Sequence, residues 1–475
     1  MPLRSFSLSA TPFWVAIVLL GLTMATPWSM PPAEAKKKQK EIRLVVDPEI
    51  QALISNLSKP LARAAGFASG RVQFHVILDS EINAFALPNQ HIVLHSGLLL
   101  KADSYGEIAG VLAHELGHLA AWHHIKLRAD FRTAAVQALI GSVAGIAVGL
   151  AGGGDAAGAF MLGGNALSRQ QLLTAMRQKE RQADQLAVDY MMRAGFAPEG
   201  VSDFFRKLHK LQRFSSLPPP YLVSHPMGLE RLQTTQDYIT QRRQGEIMPE
   251  VVWKPKQQQA LARIRAKLEA GTAKDPHTYI QEARYQLSHH FPDPHEKFAL
   301  RYGIALAQYY AGQLAEAKRG MERLLKASPN DPFILREVGL ILLDQDRPAD
   351  AEQSFRTALA HHDSHPDLHY RLAFALKEQN KLAAAARRLY RMNKTFPNQV
   401  KGLYLLGVVE GKRGNLAQSH LALARYEERM LRFKRAKWHL KEALKKLPKA
   451  HSLRHLIKQR QQGIAEMEEE RKKLQ

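Results

Sequence analysis

Three side chains within five residues set the chemistry: His114, Glu115 and His118 in the run His114-Glu115-Leu116-Gly117-His118. Ile108, Val111, Leu112, Leu116 and Leu119 recur at helical spacing around them, and residues four apart on a helix share a face. Both imidazoles therefore reach one cation, and neutral imidazole suits zinc. Glu115 is then placed to take a proton from a water activated by that metal, the chemistry of metal-assisted hydrolysis. A five-residue motif also arises by chance on a polar helix face, so the assignment needs a further ligand.

A catalytic zinc keeps three protein ligands and leaves one position for water. Glu180-Arg181-Gln182-Ala183-Asp184, well downstream of His118, supplies the third. Glu180 and Asp184 are again four apart. Glu180 completes the zinc sphere, and Asp184 accepts the remaining ring N–H of a ligand histidine and fixes its tautomer.

The elements that must position these residues read as mixed helix and strand. Pro48 to Ala65 has helical spacing and Val72 to Leu78 alternates like a strand. Ile82 to Leu87 and Ile92 to Leu94 make an apparent hairpin around Pro88-Asn89-Gln90. Tyr105 to His124 and Leu172 to Ala194 are the motif helices, the second closed by Gly195 with Pro198 beyond it. Between them Ala134 to Ser168 is rich in Ala and Gly, with Asp155 its only charge before the arginines that follow. It reads either as packed helices or a flap over the site, or as a weak membrane-contacting segment, since glycines and small side chains make a poor span.

The 475 residues are too many for one core. Without cysteine the chain has no disulfide, thiolate metal site, cysteine nucleophile or N-terminal lipidated Cys. Residues 1–35 read as a signal peptide: Arg4, an apolar stretch from Phe13 to Met24, then Ala33-Glu34-Ala35. An uncleaved anchor is the alternative. The formal charge is +23, and from Gly411 onward 18 Lys/Arg stand against 7 Asp/Glu, a net +11. No nucleic-acid-binding signature accompanies this excess, so no nucleic acid is expected. It is either a solvated helical surface or a contact for anionic partners, among them a membrane surface touched from outside.

Beyond Pro249 a basic connecting helix runs to Lys274, and the chain then becomes periodic. Ala317, Ala351, Ala385 and Ser419 recur at one fixed interval of about 34 residues. Ala305, Gly339, Ala373 and Gly407 recur at the same interval, each one helix earlier. Pro329 and Pro397 close two of the units. Ala424, Ala436, Leu440, Ala443 and Pro448 repeat the pattern offset by half a unit, so one helix near 416–430 serves two pairs. Small residues at two fixed places let paired helices cross closely. The pattern resembles the tetratricopeptide repeat, a solenoid whose concave face holds protein segments. Residues 451–475 are a charged helical tail.

Four stretches together resemble the gluzincin peptidases, the family of HtpX and the CAAX prenyl proteases: Asn83-Ala84-Phe85-Ala86-Leu87-Pro88, His114 to His118, Glu180 to Asp184 with Ala194-Gly195-Phe196-Ala197-Pro198, and Ser224-His225-Pro226 followed by Arg231. The signal sequence and C-terminal repeats point to the periplasmic, BepA-like branch. The resemblance implies that His114, His118 and Glu180 bind one zinc and that Glu115 is the general base. It implies that His225 acts near the metal as a gate or transition-state contact, and that Asn83 to Ala86 form an edge pairing with extended substrate. Arg231 is then a candidate for stabilising the oxyanion.

The expected architecture is α+β, mostly α. Residues 1–35 are the signal, 41–243 a zincin-type metallopeptidase domain with a small sheet, 249–274 the connector, 275–450 an α-solenoid of tetratricopeptide-like repeats, and 451–475 the tail. The expected function is hydrolysis of misfolded or unassembled envelope proteins in the periplasm, with the repeats holding outer-membrane proteins or their assembly machinery. The alternative is a chaperone or assembly scaffold with a latent zinc site.

Overall fold

The computed structural model describes residues 43–87, 89–121, 166–213, 220–225, 229–244, 255–290, 292–362, 365–397 and 399–473. The proposed signal, nearly all of the Ala/Gly stretch, Pro88 and Pro226 lie outside them. The chain divides into two compact units, 1–303 and 304–475.

The first unit opens on α1 (Pro48–Ala64), capped by Asp47, whose carboxylate accepts from the backbone N–H of Glu49 and Ile50. Strands β1 (Gln73–Ile77), β2 (Ala84–Leu87) and β3 (His91–His95) form a sheet in the order β1-β3-β2, with β1 parallel and β2 antiparallel to β3. The expected hairpin is thus present. Asn89 and Gln90 both take left-handed backbone, φ 66° and 65°, as a tight hairpin turn demands. Helices α2 (Ser96–Lys101), α3 (Tyr105–Ala120), α4 (Ala166–Arg193), α5 (Glu199–Arg213), α6 (Pro220–Ser224) and α7 (Leu229–Arg243) follow. Helix α3 runs through the core, with Ile108, Leu112 and Leu116 fully buried beside Leu94, Leu98 and Val188.

Helix α8 (Pro255–Thr272), expected as a connector, packs into this unit through charge. The buried Lys267 places Nζ 3.2 Å from Asp47 Oδ2 and 3.2 Å from Glu49 Oε2, and Arg263 Nη2 lies 2.5 Å from Glu49 Oε1. The residues that cap α1 therefore also anchor α8. Helices α9 (Pro276–His289) and the first part of α10 (Pro294–Tyr310) belong to the same unit.

The second unit continues α10 and adds α11 (Leu314–Ala327), α12 (Pro332–Asp344), α13 (Pro348–His361), α14 (Pro366–Glu378), α15 (Leu382–Thr395), α16 (Val400–Lys412), α17 (Leu416–Arg429), α18 (Phe433–Lys445) and α19 (Leu453–Lys473). The sequence period is that of close helix crossings. Ala317, Ala351, Ala373 and Ala385 are fully buried, and a Cβ on Gly339 would stand 2.5 Å from the Phe355 ring. Helix α17 has the double role its offset implies: Ser419 donates to the Gly407 carbonyl of α16 at 2.7 Å, while Ala424 packs with Ala436 and Leu440 of α18. The turns repeat as well. Gly312, Asp346, Asn380 and Gly414, spaced by one repeat each, all have φ between 56° and 80°, and Leu431 takes φ 56° after the half-repeat step. Among the described residues no helix is long and apolar enough to cross a membrane.

Candidate active site

Helix α3 begins with a reciprocal cap. Ser104 Oγ accepts from Glu107 N, and Glu107 Oε2 accepts from Asp103 N at 2.8 Å. Further along, the helix must approach α4 closely. A Cβ on Gly117 would lie 2.9 Å from the Ala183 carbonyl oxygen and 3.1 Å from its Cα. Only glycine permits that separation, and it brings Glu180 and Asp184, on either side of Ala183, against His114 and His118.

The donor atoms converge. His114 Nε2 and His118 Nε2 lie 3.0 Å apart. Glu180 Oε2 is 3.4 Å from His114 Nε2, and Oε1 is 3.3 Å from His118 Nε2. A tetrahedral ion with bonds of about 2.0–2.1 Å sets its ligand atoms roughly 3.3–3.4 Å apart, close to the spacings found. His225 adds a fourth atom, its Nδ1 3.3 Å from His114 Nε2 and 3.1 Å from Glu180 Oε2. Ligand atoms of all four residues fall within 4.8 Å of one another.

Around them the charge is arranged for a cation. Glu115, Glu180, Asp184 and Arg231 are all buried. Three carboxylates against one guanidinium leave two negative charges when the imidazoles are neutral, and a divalent ion cancels them. Burial opposes ionisation of Glu180, but His225, His118 and Arg231 hold its carboxyl well below the usual range. Burial likewise disfavours a charged His114, yet its hydrogen bond to Asp184 and the Glu180 carboxylate push its pKa up to about 9. The pull that would draw a proton to His114 serves equally for a metal. The residues present therefore fit a divalent metal of the zinc type.

Asp184 Oδ1 is 2.9 Å from His114 Nδ1, the partner expected of it. Arg231 departs from expectation. Its Nε and Nη2 donate to Asp184 at 2.5 and 2.8 Å, and its Nη1 lies 2.9 Å from Glu180 Oε2. The guanidinium also sits over the Phe205 ring at 4.7 Å. A donor fork engaged on two buried carboxylates is not aimed at a reacting carbonyl. Arg231 is a positioning residue that holds Glu180 and Asp184 in register, and the oxyanion expectation is corrected accordingly.

Glu115 Oε1 lies 3.5 Å from His225 Nε2. Helix α6 delivers His225: Tyr221 N donates to the Ile82 carbonyl at the start of the β2 segment, and His225 N donates to the Tyr221 carbonyl. The Tyr221 ring covers the His225 imidazole with centroids 4.6 Å apart. Sequence reading passed over Tyr221 and Phe205. The only trace of Tyr221 is its place four residues before His225, one helical turn away.

Strand β2 is an edge of the sheet. Ala84 and Ala86 pair with Leu94 and Ile92 of β3, the Asn83 carbonyl accepts from His95 N, and Phe85 meets the His95 ring edge-on. Among the described residues no strand pairs with its other side.

Residues 47–239 match the family model described as peptidase family M48, and residues 302–367 and 342–406 match tetratricopeptide-repeat models. The chain is similar to the beta-barrel assembly-enhancing protease of Yersinia pestis, 28% identical over 78% of this chain and 74% of that one. It is similar to the protein of the same name from Escherichia coli (strain K12), 28% identical over 80% of this chain and 76% of the other. The metalloprotease YcaL of that strain is 32% identical over 35% of this chain and 62% of its own.

Proposed function

We propose that this chain, a metalloendopeptidase carrying a peptidase family M48 domain followed by tetratricopeptide repeats, uses zinc to hydrolyse misfolded or unassembled envelope proteins in the periplasm. The observation that carries this reading is the convergence of His114 Nε2, His118 Nε2 and Glu180 with Glu115 buried beside them. His114, His118 and Glu180 would hold the ion, which when bound polarises a peptide carbonyl and lowers the pKa of water.

The protein's own residues do the rest. Glu115 accepts a proton from the attacking water and returns it to the leaving amine. Asp184 orients His114, and Arg231 keeps both carboxylates in place. An extended substrate adds to the open side of β2 at Asn83 to Ala86 through main-chain hydrogen bonds, a mode that reads little sequence. The repeats hold protein partners, which we take to be outer-membrane proteins or the machinery that assembles them, in keeping with the names of the relatives.

The test is casein hydrolysis with metal analysis. Wild type is expected to hold about one zinc per chain and to cut casein. Glu115→Gln should keep the metal and lose two or more orders of magnitude in rate, roughly a general base's share. Equal rates in the two proteins would reject the assignment. A second reading, a chaperone or assembly scaffold with a latent site, is favoured by one observation: His225 Nδ1 joins the donor atoms of His114, His118 and Glu180, and four protein ligands would leave a bound zinc no place for water.

A further inference from the structure

Helix α17 serves two helix pairs, and on its α18 side it carries His420 one turn before Ala424. Ala424 packs with Ala436 and Leu440 of α18, and this close crossing sets His420 against His439. Their Nδ1 atoms lie 2.9 Å apart, the ring centroids 5.2 Å apart, and both side chains are half-buried. The active-site pair His114 and His118 has nearly the same spacing, 3.0 Å between Nε2 atoms. Two helices thus present convergent imidazole nitrogens at a place remote in sequence from the catalytic motif.

Two facing Nδ1 atoms form a hydrogen bond only when one ring carries its proton there and the other does not. A metal ion in place of that proton suits the pair when both rings carry their hydrogen on Nε2. Burial disfavours the charged form of each ring, which leaves both neutral, as metal ligands must be. Glu442, one turn after His439, acts on both imidazoles through its negative charge. Trp438 stands edge-on to the pair, its centroid 5.6 Å from that of His420 and 4.7 Å from that of His439.

We propose that His420 and His439 form a second metal site, which takes a divalent transition ion of the class that imidazole favours, zinc or copper. Water completes the ligand sphere, and Glu442 offsets the charge of the ion. With two protein ligands the site holds metal less firmly than a three-ligand catalytic site, so it empties on dialysis and fills when metal is added. The ion ties α18 to α17 at the half-repeat step, where the stacking of the helices changes phase. It is a clamp between helices and takes no part in hydrolysis.

Copper titration of the dialysed full-length protein, followed by tryptophan fluorescence, tests this. Copper(II) bound at His420 and His439 quenches the neighbouring Trp438, so wild type should lose emission in one saturable step that a large excess of zinc reverses. His439→Ala should lose the step. His420→Gln should lose it too, because its amide keeps a hydrogen bond to His439 but is a poor ligand, and its thermal stability without added metal should match wild type. That variant separates metal binding from folding. Trp438→Phe should lose the optical step and still take up the copper, as equilibrium dialysis would show. Casein cleavage should be unchanged in all three. A wild type without the step, a step retained in either histidine variant, or a step unchanged in Trp438→Phe would overturn the assignment and leave the pair as a hydrogen bond between helices.

Discussion

Asp184 Oδ1 sits 2.9 Å from His114 Nδ1, on the far side of the imidazole from the Nε2 that faces His118 and Glu180. A carboxylate there keeps the proton on Nδ1 and leaves the Nε2 lone pair for a metal. Asp184→Asn is expected to lower zinc affinity roughly 10–100-fold, the usual effect of removing such a partner. Chelator competition measures it. Unchanged affinity would show that packing alone orients the ring.

Arg231 gives the second prediction. Removing it leaves Asp184 and Glu180 buried without their counter-charge, so Arg231→Met should destabilise the first unit by about 3–5 kcal/mol. Arg231→Lys restores the charge without the two-pronged geometry and should recover part of this. In the lysine variant the cleavage rate per bound metal should stay close to wild type. A full-strength loss of kcat with stability and metal content intact would return Arg231 to the oxyanion role.

These two residues also mark where the sequence stops being legible. The histidine motif and the repeat period could be read because each is a local regularity, fixed by helical geometry over one turn or one repeat. Glu180 and Asp184 were found by their own four-residue spacing. Arg231 stands out in the sequence only by its place after His225; the crossing of α4 and α7 is what shows its fork taken up by carboxylates on an earlier helix. The anchoring of α8 was invisible for a related reason. Arg263 and Lys267 look like a solvated basic face until the fold brings Asp47 and Glu49, from the opposite end of the first unit's sequence, into contact with them. Tyr221 had no signal beyond its distance from His225, since a lone aromatic near a Pro-rich segment reads as core.

The repeat unit should carry a pH-dependent element. Arg336 Nε donates to Asp367 Oδ2 at 2.6 Å, bridging α12 and α14. Burial opposes ionisation of Asp367, but Arg336 and Arg371 outweigh it and hold the carboxyl well below its ordinary value. A depressed folded pKa stabilises above the unfolded value of about 3.9 and loses its effect as pH falls through the folded one. Asp367→Asn should therefore cost about 1.5–3 kcal/mol at pH 7, the range for a hydrogen bond to a charged group. The gap from wild type should narrow below about pH 4. Denaturant melts at several pH values check this; a gap independent of pH would show that shape, not charge, carries the contact.

His225 is the residue at which an open and a closed site would differ. Its Nδ1 lies 3.1 Å from Glu180 Oε2 and 3.3 Å from His114 Nε2, within the set that would surround one ion. Four protein ligands make a closed, structural type of zinc site, whereas catalysis needs one place for water. Its Nε2 is also 3.5 Å from Glu115 Oε1, so the same ring covers the proposed base. If His225 is the gate, His225→Ala removes the cover but leaves His114, His118 and Glu180 in place. The variant should hold zinc more weakly, yet per bound zinc it should cut an unstructured peptide faster than wild type. Tyr221→Ala, which removes the ring lying against His225, should move the rate in the same direction by a smaller factor. If His225 instead contacts the transition state, both substitutions slow cleavage at full metal occupancy. Peptide hydrolysis normalised to measured zinc separates the two roles, and a slower His225→Ala enzyme would remove the gate from this account.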